Sequence, residues 1–215
     1  MSGPIGAAVL VLVGYLLGAM PVGVLVGRLA GGIDLRRHGS RRTGSTNAMR
    51  TLGLGWALAV LLLDIAKGTG AVLLVLWLFE SAGGDWVAAA AGGAAVVGHT
   101  RSVFIGFGGG RGVATSGGAL VAMAPVGVAI LLPVMAAVIW RTRYVSLGSL
   151  TGALAAPAVT AALLPVGLAT PGAVALALAV AVIVTWSHGD NIARLRAGTE
   201  RRFGEKETTS IDAPG

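Results

Sequence analysis

Fifteen of the sixteen Lys and Arg residues in this 215-residue chain fall in four short polar segments, 28–50, 101–111, 141–143 and 194–206. Long apolar stretches separate these segments, and Lys67 is the one basic residue outside them. Cytoplasmic loops of membrane proteins carry an excess of Lys and Arg, so all four segments are expected to gather on one membrane face. A mean hydropathy of +0.83, with 55% hydrophobic and 12% charged residues, excludes an ordinary soluble domain. The 35 glycines suit helices packed backbone to backbone in lipid. The absence of cysteine rules out disulfides, thiol catalysis and Cys-ligated metals.

The sequence pI near 11.3 raises nucleic acid as a partner. Here the basic residues flank apolar spans with almost no aromatics among them, so the stacking platforms that bind single strands are missing. Positive-inside topology against an anionic leaflet accounts for the charge more simply, and no nucleic-acid partner is expected.

One all-α, polytopic helical membrane domain is expected over residues 1–203, followed by a polar tail at 204–215 expected to be disordered. Residues 1–27 are apolar with no basic residue ahead of them. A signal peptide needs a basic n-region, so they are read as a retained first helix starting outside. Further apolar runs cover 52–79, 86–98, 113–140, 147–164 and 173–187. Charge and parity conflict at 113–140, because a single crossing there would put Arg141 and Arg143 opposite the other basic loops. At about 1.5 Å per residue that run reaches roughly 42 Å, too short for two crossings of a roughly 30 Å core. A hairpin bent near Ala124–Pro125, made of two short helices inside the bundle, reconciles both and leads to seven helical segments with the tail inside.

Four polar clusters carry candidate chemistry. Residues 39–50 hold Gly39, Ser40, Asn47 and three arginines including Arg50, donors suited to phosphate oxygens. A solvated basic loop is the plainer reading. Residues 106–115 surround Arg111 with Gly106, Gly108, Gly109, Gly110 and Gly112 just before a helix start, a pattern suited to an anion nest. The spacing is not that of a P-loop. Residues 143–149, with Arg143 and Ser146, read by themselves as a loop with an interfacial aromatic. In the last cluster, His188 and Asn191 share a face if helical. The three histidines are scattered, so no metal site is expected. Asp64 and Lys67, at i and i+3 inside an apolar run, are either a functional pair or a mutually neutralised packing pair.

In order and spacing these clusters resemble the bacterial membrane acyltransferases that use acyl phosphate and glycerol 3-phosphate. The resemblance rests on 15–21, Ile33-Asp34-Leu35-Arg36 with Gly39-Ser40, and Gly44-Ser45-Thr46-Asn47 with Arg50-Thr51-Leu52-Gly53. It continues through Asp64-Ile65-Ala66-Lys67-Gly68, Gly98-His99, 109–115, Arg143-Tyr144-Val145-Ser146, His188 with Asp190-Asn191-Ile192, and Gly198-Thr199-Glu200. It implies a seven-helix enzyme of the bacterial inner membrane, with a cytoplasm-facing site, that makes lysophosphatidate without metal or organic cofactor. Its partners would be acyl phosphate, glycerol 3-phosphate and membrane lipid. Carried over by position, Ser40, Arg50, His188 and Asn191 would be catalytic. Gly39, Asn47, Lys67, Gly108, Gly109, Gly110, Arg111, Gly112, Arg143 and Ser146 would bind substrate or phosphate. The chain departs from the family at Arg41-Arg42, where Gly-Asn is usual, at Arg111, where Lys is usual, and after His99, where proline is usual. A divergent enzyme for another phosphorylated alcohol, or a transporter of a phosphorylated anion, would use similar loops.

Overall fold

In the computed structural model, which describes residues 2–204, the chain is helical with one isolated bridge between Ser102 and Gly108. The helices are α1 (Gly3–Ala19), α2 (Val22–Leu29), α3 (Ser45–Leu52), α4 (Leu54–Leu78) and α5 (Gly84–Thr100). They continue with α6 (Val113–Met123), α7 (Pro125–Thr142), α8 (Val145–Leu163), α9 (Pro171–Ser187) and α10 (Gly189–Arg196). Among the described residues, four helical stretches are long and apolar enough to cross a membrane: Gly3–Leu29, Leu54–Leu78, Pro125–Thr142 and Val145–Val166. The bent pair α9–α10 makes a fifth. Large apolar side chains such as Trp77, Trp140 and Val182 point outward, as a lipid-facing surface requires. The tail expected from 204 onward lies outside the described residues from 205 on.

The expected seven segments are present as α1–α2, α4, α5, α6, α7, α8 and α9, with α3 and α10 added as short helices beside the polar loops. The break at Ala124–Pro125 falls where proline requires it. The residue before a proline is driven out of the helical region, and proline itself is well tolerated at the first helical position. Ala124 has φ −148° and ψ 66°, and Pro125 opens α7. The hairpin differs from expectation in its second arm. Helix α7 has 18 residues and is mostly exposed, so it faces lipid and is not a short interior piece.

Small residues decide the helix pairings. A Cβ added at Gly18 would stand 2.0 Å from the Ala95 carbonyl oxygen, and one at Gly98 would stand 2.2 Å from that of Tyr15. Helices α1 and α5 therefore touch backbone to backbone. Gly68 and Gly118 do the same between α4 and α6, against the carbonyls of Thr115 and Ile65. In lipid, where burial of apolar surface gives no drive between helices, such close approach supplies the packing attraction.

The first apolar run breaks at Met20–Pro21, a division that hydropathy does not reveal. Proline lacks an N–H and leaves nearby carbonyls without helical partners. Two distant side chains satisfy them: Ser102 Oγ donates to the Ala19 carbonyl, and Lys67 Nζ donates to that of Met20 at 3.1 Å. The break thus ties α1–α2 to the polar end of the bundle.

Candidate active site

Arginines from three of the four basic segments, Arg41, Arg42 and Arg50, then Arg111, then Arg194 and Arg201, line one cavity of about 680 Å³. Its outer part is polar, with Ser40, Arg50, Arg111, Ser146, His188 and Asn191 on the wall. Its inner part is apolar, formed by α6, α7, α8 and α9 through residues such as Leu120, Leu131, Met135, Ala156 and Val180. Six arginines and three carboxylates line it, and one of those carboxylates, Asp64, is already paired with Lys67 at 3.0 Å. The surplus of positive charge suits an anionic ligand, and the apolar depth suits a hydrocarbon chain.

The loop before α3 is built around two devices. Asp34 caps the 3-10 turn Leu35–Arg37, accepting from the Arg36 amide and forming a forked ion pair with its guanidinium. These contacts, the Arg36 side chain foremost, lower its carboxyl from 3.8 to about 2. The folded pKa is depressed, so the clip's contribution is present above about pH 4 and fades as pH falls toward 2. Leu35, fully buried, anchors the loop among Val22, Val26, Ala48, Ala57 and Val60.

Asn47 is the second device. Its Nδ2 lies within 3.1 Å of the carbonyls of Leu35, His38 and Arg42, and its Oδ1 accepts from the Ser40 amide at 2.9 Å. Asn47 lies on the cavity wall, and its carboxamide is at the same time engaged by the loop it folds. Gly39, at φ 55°, lies against this carboxamide, where a Cβ would stand 2.2 Å from Oδ1. Arg41, one of the departures from the family pattern, sits at φ 57°, a left-handed position that glycine or asparagine takes at lower cost. Asn47→Ala is expected to lower stability by about 2–3 kcal/mol, since it leaves the Ser40 amide and buried carbonyls unpaired. Activity should fall with it, and thermal unfolding in detergent measures the loss.

His188 sits at the 62° bend between α9 and α10, only 2% exposed. Its Nδ1 is 2.8 Å from the Val184 carbonyl, so Nδ1 carries a proton and donates. In the neutral ring that leaves Nε2 as an acceptor. Asn191 stands on the first turn of α10, with Nδ2 donating to Glu200 and a buried Oδ1 that has no partner among the described residues. Arg111 Nε is likewise buried without a partner among those residues, while its Nη2 pairs with Asp190 at 2.9 Å. Asp190 is also approached by Arg194 at 3.5 Å and Arg42 at 4.0 Å, so it fixes several guanidinium groups around the opening.

Glu200 is a part of the site that residue types alone do not single out. It accepts from Ser146 Oγ and Arg194 Nε, both at 2.7 Å, as well as from Asn191. Burial by itself would raise its carboxyl, but these three donors outweigh burial and hold it below the ordinary range. The only sequence signal is its place in the Gly198-Thr199-Glu200 stretch; its return to Asn191 is a tertiary fact.

Not every expected residue reaches the cavity. Lys67 is buried against Asp64 and the Met20 carbonyl and is absent from the wall, because an ammonium at that depth needs its partners inside the bundle. Arg143 turns away and donates to the Phe203 carbonyl at 2.8 Å, fastening the C-terminal segment to the α7–α8 turn. Of Gly108, Gly109, Gly110 and Gly112, only Gly112 lies on the wall, at φ 81° where α6 begins. The Gly110 amide donates to the His99 carbonyl at 3.1 Å, so the expected anion nest lacks that donor.

Comparison with known proteins agrees with this architecture. A sequence model of the family described as "Glycerol-3-phosphate acyltransferase" matches residues 8–198. A glycerol-3-phosphate acyltransferase of Thermus thermophilus is 44% identical over 196 residues, covering 91% of this chain and 94% of that protein. One from Acaryochloris marina is 42% identical over 220 residues, with 95% and 96% covered. The crystal structure of PlsY (YgiH), an integral membrane glycerol 3-phosphate acyltransferase, in its glycerol 3-phosphate form superposes with a TM-score of 0.82 at 35% identity, covering 93% of this chain and 96% of that one. Its lysophosphatidic acid form gives 0.81 at 34% identity, with the same coverage. With the match running through every helix of the bundle and both faces of the cavity, the chain belongs to the integral membrane glycerol-3-phosphate acyltransferase family.

Proposed function

We propose that this enzyme transfers a fatty acyl group from acyl phosphate to the 1-hydroxyl of glycerol 3-phosphate, giving lysophosphatidate and phosphate. The observation that carries the reading is one cavity with a cationic mouth continuous with an apolar interior. That combination suits two phosphorylated reactants, one of which brings a hydrocarbon chain. Acyl phosphate is already an activated mixed anhydride, so the step calls for orientation and charge stabilisation more than for a cofactor. The basic segments that line the mouth favour the cytoplasmic face of a bacterial cell membrane under the positive-inside rule.

In this reading Arg50 and Arg111 hold the two phosphates, with Ser40 orienting them by hydrogen bonds, while Ser146 and Asn191 donate to Glu200. His188 Nε2 takes the proton of the 1-hydroxyl, while Asn191 Oδ1 receives a second hydroxyl of the acceptor. The alkoxide oxygen bonds to the acyl carbon, the carbon–oxygen bond to phosphate breaks, and the electron pair leaves with phosphate. The proton on His188 then passes to the released phosphate.

The test uses purified protein in mild detergent with palmitoyl phosphate and labelled glycerol 3-phosphate, scored for lysophosphatidate and phosphate. Wild type is expected to form both, and His188→Ala to lose about 10²–10⁴-fold in kcat. Retained turnover in His188→Ala removes the base role. A panel of phosphorylated alcohols as acceptors separates glycerol 3-phosphate from another acceptor favoured by Arg41 and Arg42.

A further inference from the structure

His99 lies at the end of α5, 6% exposed, with its ring between two neighbours. On one side Nδ1 is 3.3 Å from Asp64 Oδ1, the same oxygen that Lys67 approaches at 3.0 Å. Lys67 in turn donates to the Met20 carbonyl at the α1–α2 break. Helix α4 and the α1–α2 break, both distant in sequence, thus fix the imidazole at the end of α5. On the other side the ring meets the Gly-rich loop. A Cβ on Gly110 would stand 2.1 Å from His99 Nε2, and one on Gly109 would stand 2.1 Å from the His99 carbonyl oxygen. The Gly110 amide is hydrogen-bonded to that same carbonyl.

Arg111 is the next residue. Its carbonyl accepts from Ser187 Oγ at 2.9 Å, and its guanidinium reaches Asp190. The path of the chain from His99 therefore sets where Arg111 enters the cavity.

We propose that His99, oriented by Asp64, is a positioning residue that places Arg111 for phosphate binding, and that Gly109 and Gly110 are glycines because they wrap His99. Their small size serves contact with a histidine and its backbone rather than a nest of amides for the anion. The inference rests on the reading of Arg111 as a phosphate ligand. Its packing half is independent of that reading.

The experiment is a double-mutant cycle on the purified full chain in detergent, reading both thermal unfolding and KM for glycerol 3-phosphate. Gly110→Ala is expected to lower Tm and raise KM about tenfold or more, with a smaller change in kcat. Adding His99→Ala removes the ring that the new methyl group strikes, so the double variant should return to the behaviour of His99→Ala alone. Gly109→Ala supplies the contrast. Its methyl group meets the His99 and Thr100 backbone, so trimming the ring should not relieve it. Asp64→Asn should raise KM with kcat nearly kept.

A Gly110→Ala variant with wild-type Tm and KM overturns the proposal, as does a cycle whose effects simply multiply. Should His99→Ala fail to fold, His99→Ser removes the same ring and decides the same arm. If wild type forms no lysophosphatidate, the acyl-transfer reading fails; coupling in Tm between Gly110 and His99 still upholds or overturns the packing half.

Discussion

Arg111→Ala is expected to cut kcat/KM by about 10–100-fold, the usual cost of losing one charge-assisted hydrogen bond to a bound anion. Arg111 enters the cavity at the start of α6, and its Nη2 is held by Asp190 at 2.9 Å. Its Nε, buried and without a partner among the described residues, remains for a ligand. Loss of the side chain removes that donor and frees Asp190 to repel an incoming phosphate. Most of the effect should appear as a raised KM for glycerol 3-phosphate. Arg111→Lys keeps the charge but not the planar fork, so it should recover only part of the loss. Steady-state kinetics with glycerol 3-phosphate varied at fixed palmitoyl phosphate measures both. An Arg111→Ala enzyme within about threefold of wild type would remove Arg111 from the phosphate site, since loss of such a hydrogen bond costs more.

Gly18→Val should prevent assembly of the bundle. Even a single methyl group at Gly18 would lie 2.0 Å from the Ala95 carbonyl oxygen, a contact that no rotamer change relieves because both partners are backbone. Helix α1 would have to withdraw from α5, and the Met20 and Ala19 carbonyls would lose Lys67 and Ser102. Overpacking usually costs about 1–3 kcal/mol, and a forced separation of helix backbones exceeds that range. Gly70 supplies the contrast on α4, since a Cβ there meets nothing within 4 Å. Gly70→Ala should be neutral or stabilising by up to about 1 kcal/mol through helix propensity. Yield of monodisperse protein in detergent and its unfolding temperature separate the two, and a well-behaved Gly18→Val protein would refute the packing argument.

Much of the architecture is legible in the sequence because its causes are local. Apolar runs of membrane length, the placement of arginines in four segments, and the pre-proline break at Ala124 each depend on a few neighbouring residues. The break at Met20–Pro21 carries the same kind of signal. It is masked because the surrounding residues are apolar throughout, and composition outweighs the proline. Helix α7 lies nearer the lipid than expected for a related reason: hydropathy does not distinguish a lipid-facing helix from a buried one.

The candidate site is legible as a set of residues and not as a set of roles. Ser40, Arg50, Arg111, Ser146, His188 and Asn191 do share one cavity wall. Asn47, on the same wall, also staples its own loop, while Arg143 carries the same donor chemistry as its neighbours yet ties down Phe203. Glu200 is ordinary by type and becomes important by meeting Ser146 across 54 positions of sequence.

By itself, then, the sequence determined that this is a helical membrane protein, where most of its helices begin and end, and which polar segments gather at one end. Charge distribution and hydropathy act through the bilayer on each segment separately. Only the tertiary structure decided that Lys67 serves Asp64 and a freed carbonyl, and that the glycines before Arg111 lie on His99. These outcomes depend on which backbones approach closely enough to leave room for no side chain. That distance is set jointly by helices remote in sequence, and no single segment encodes it.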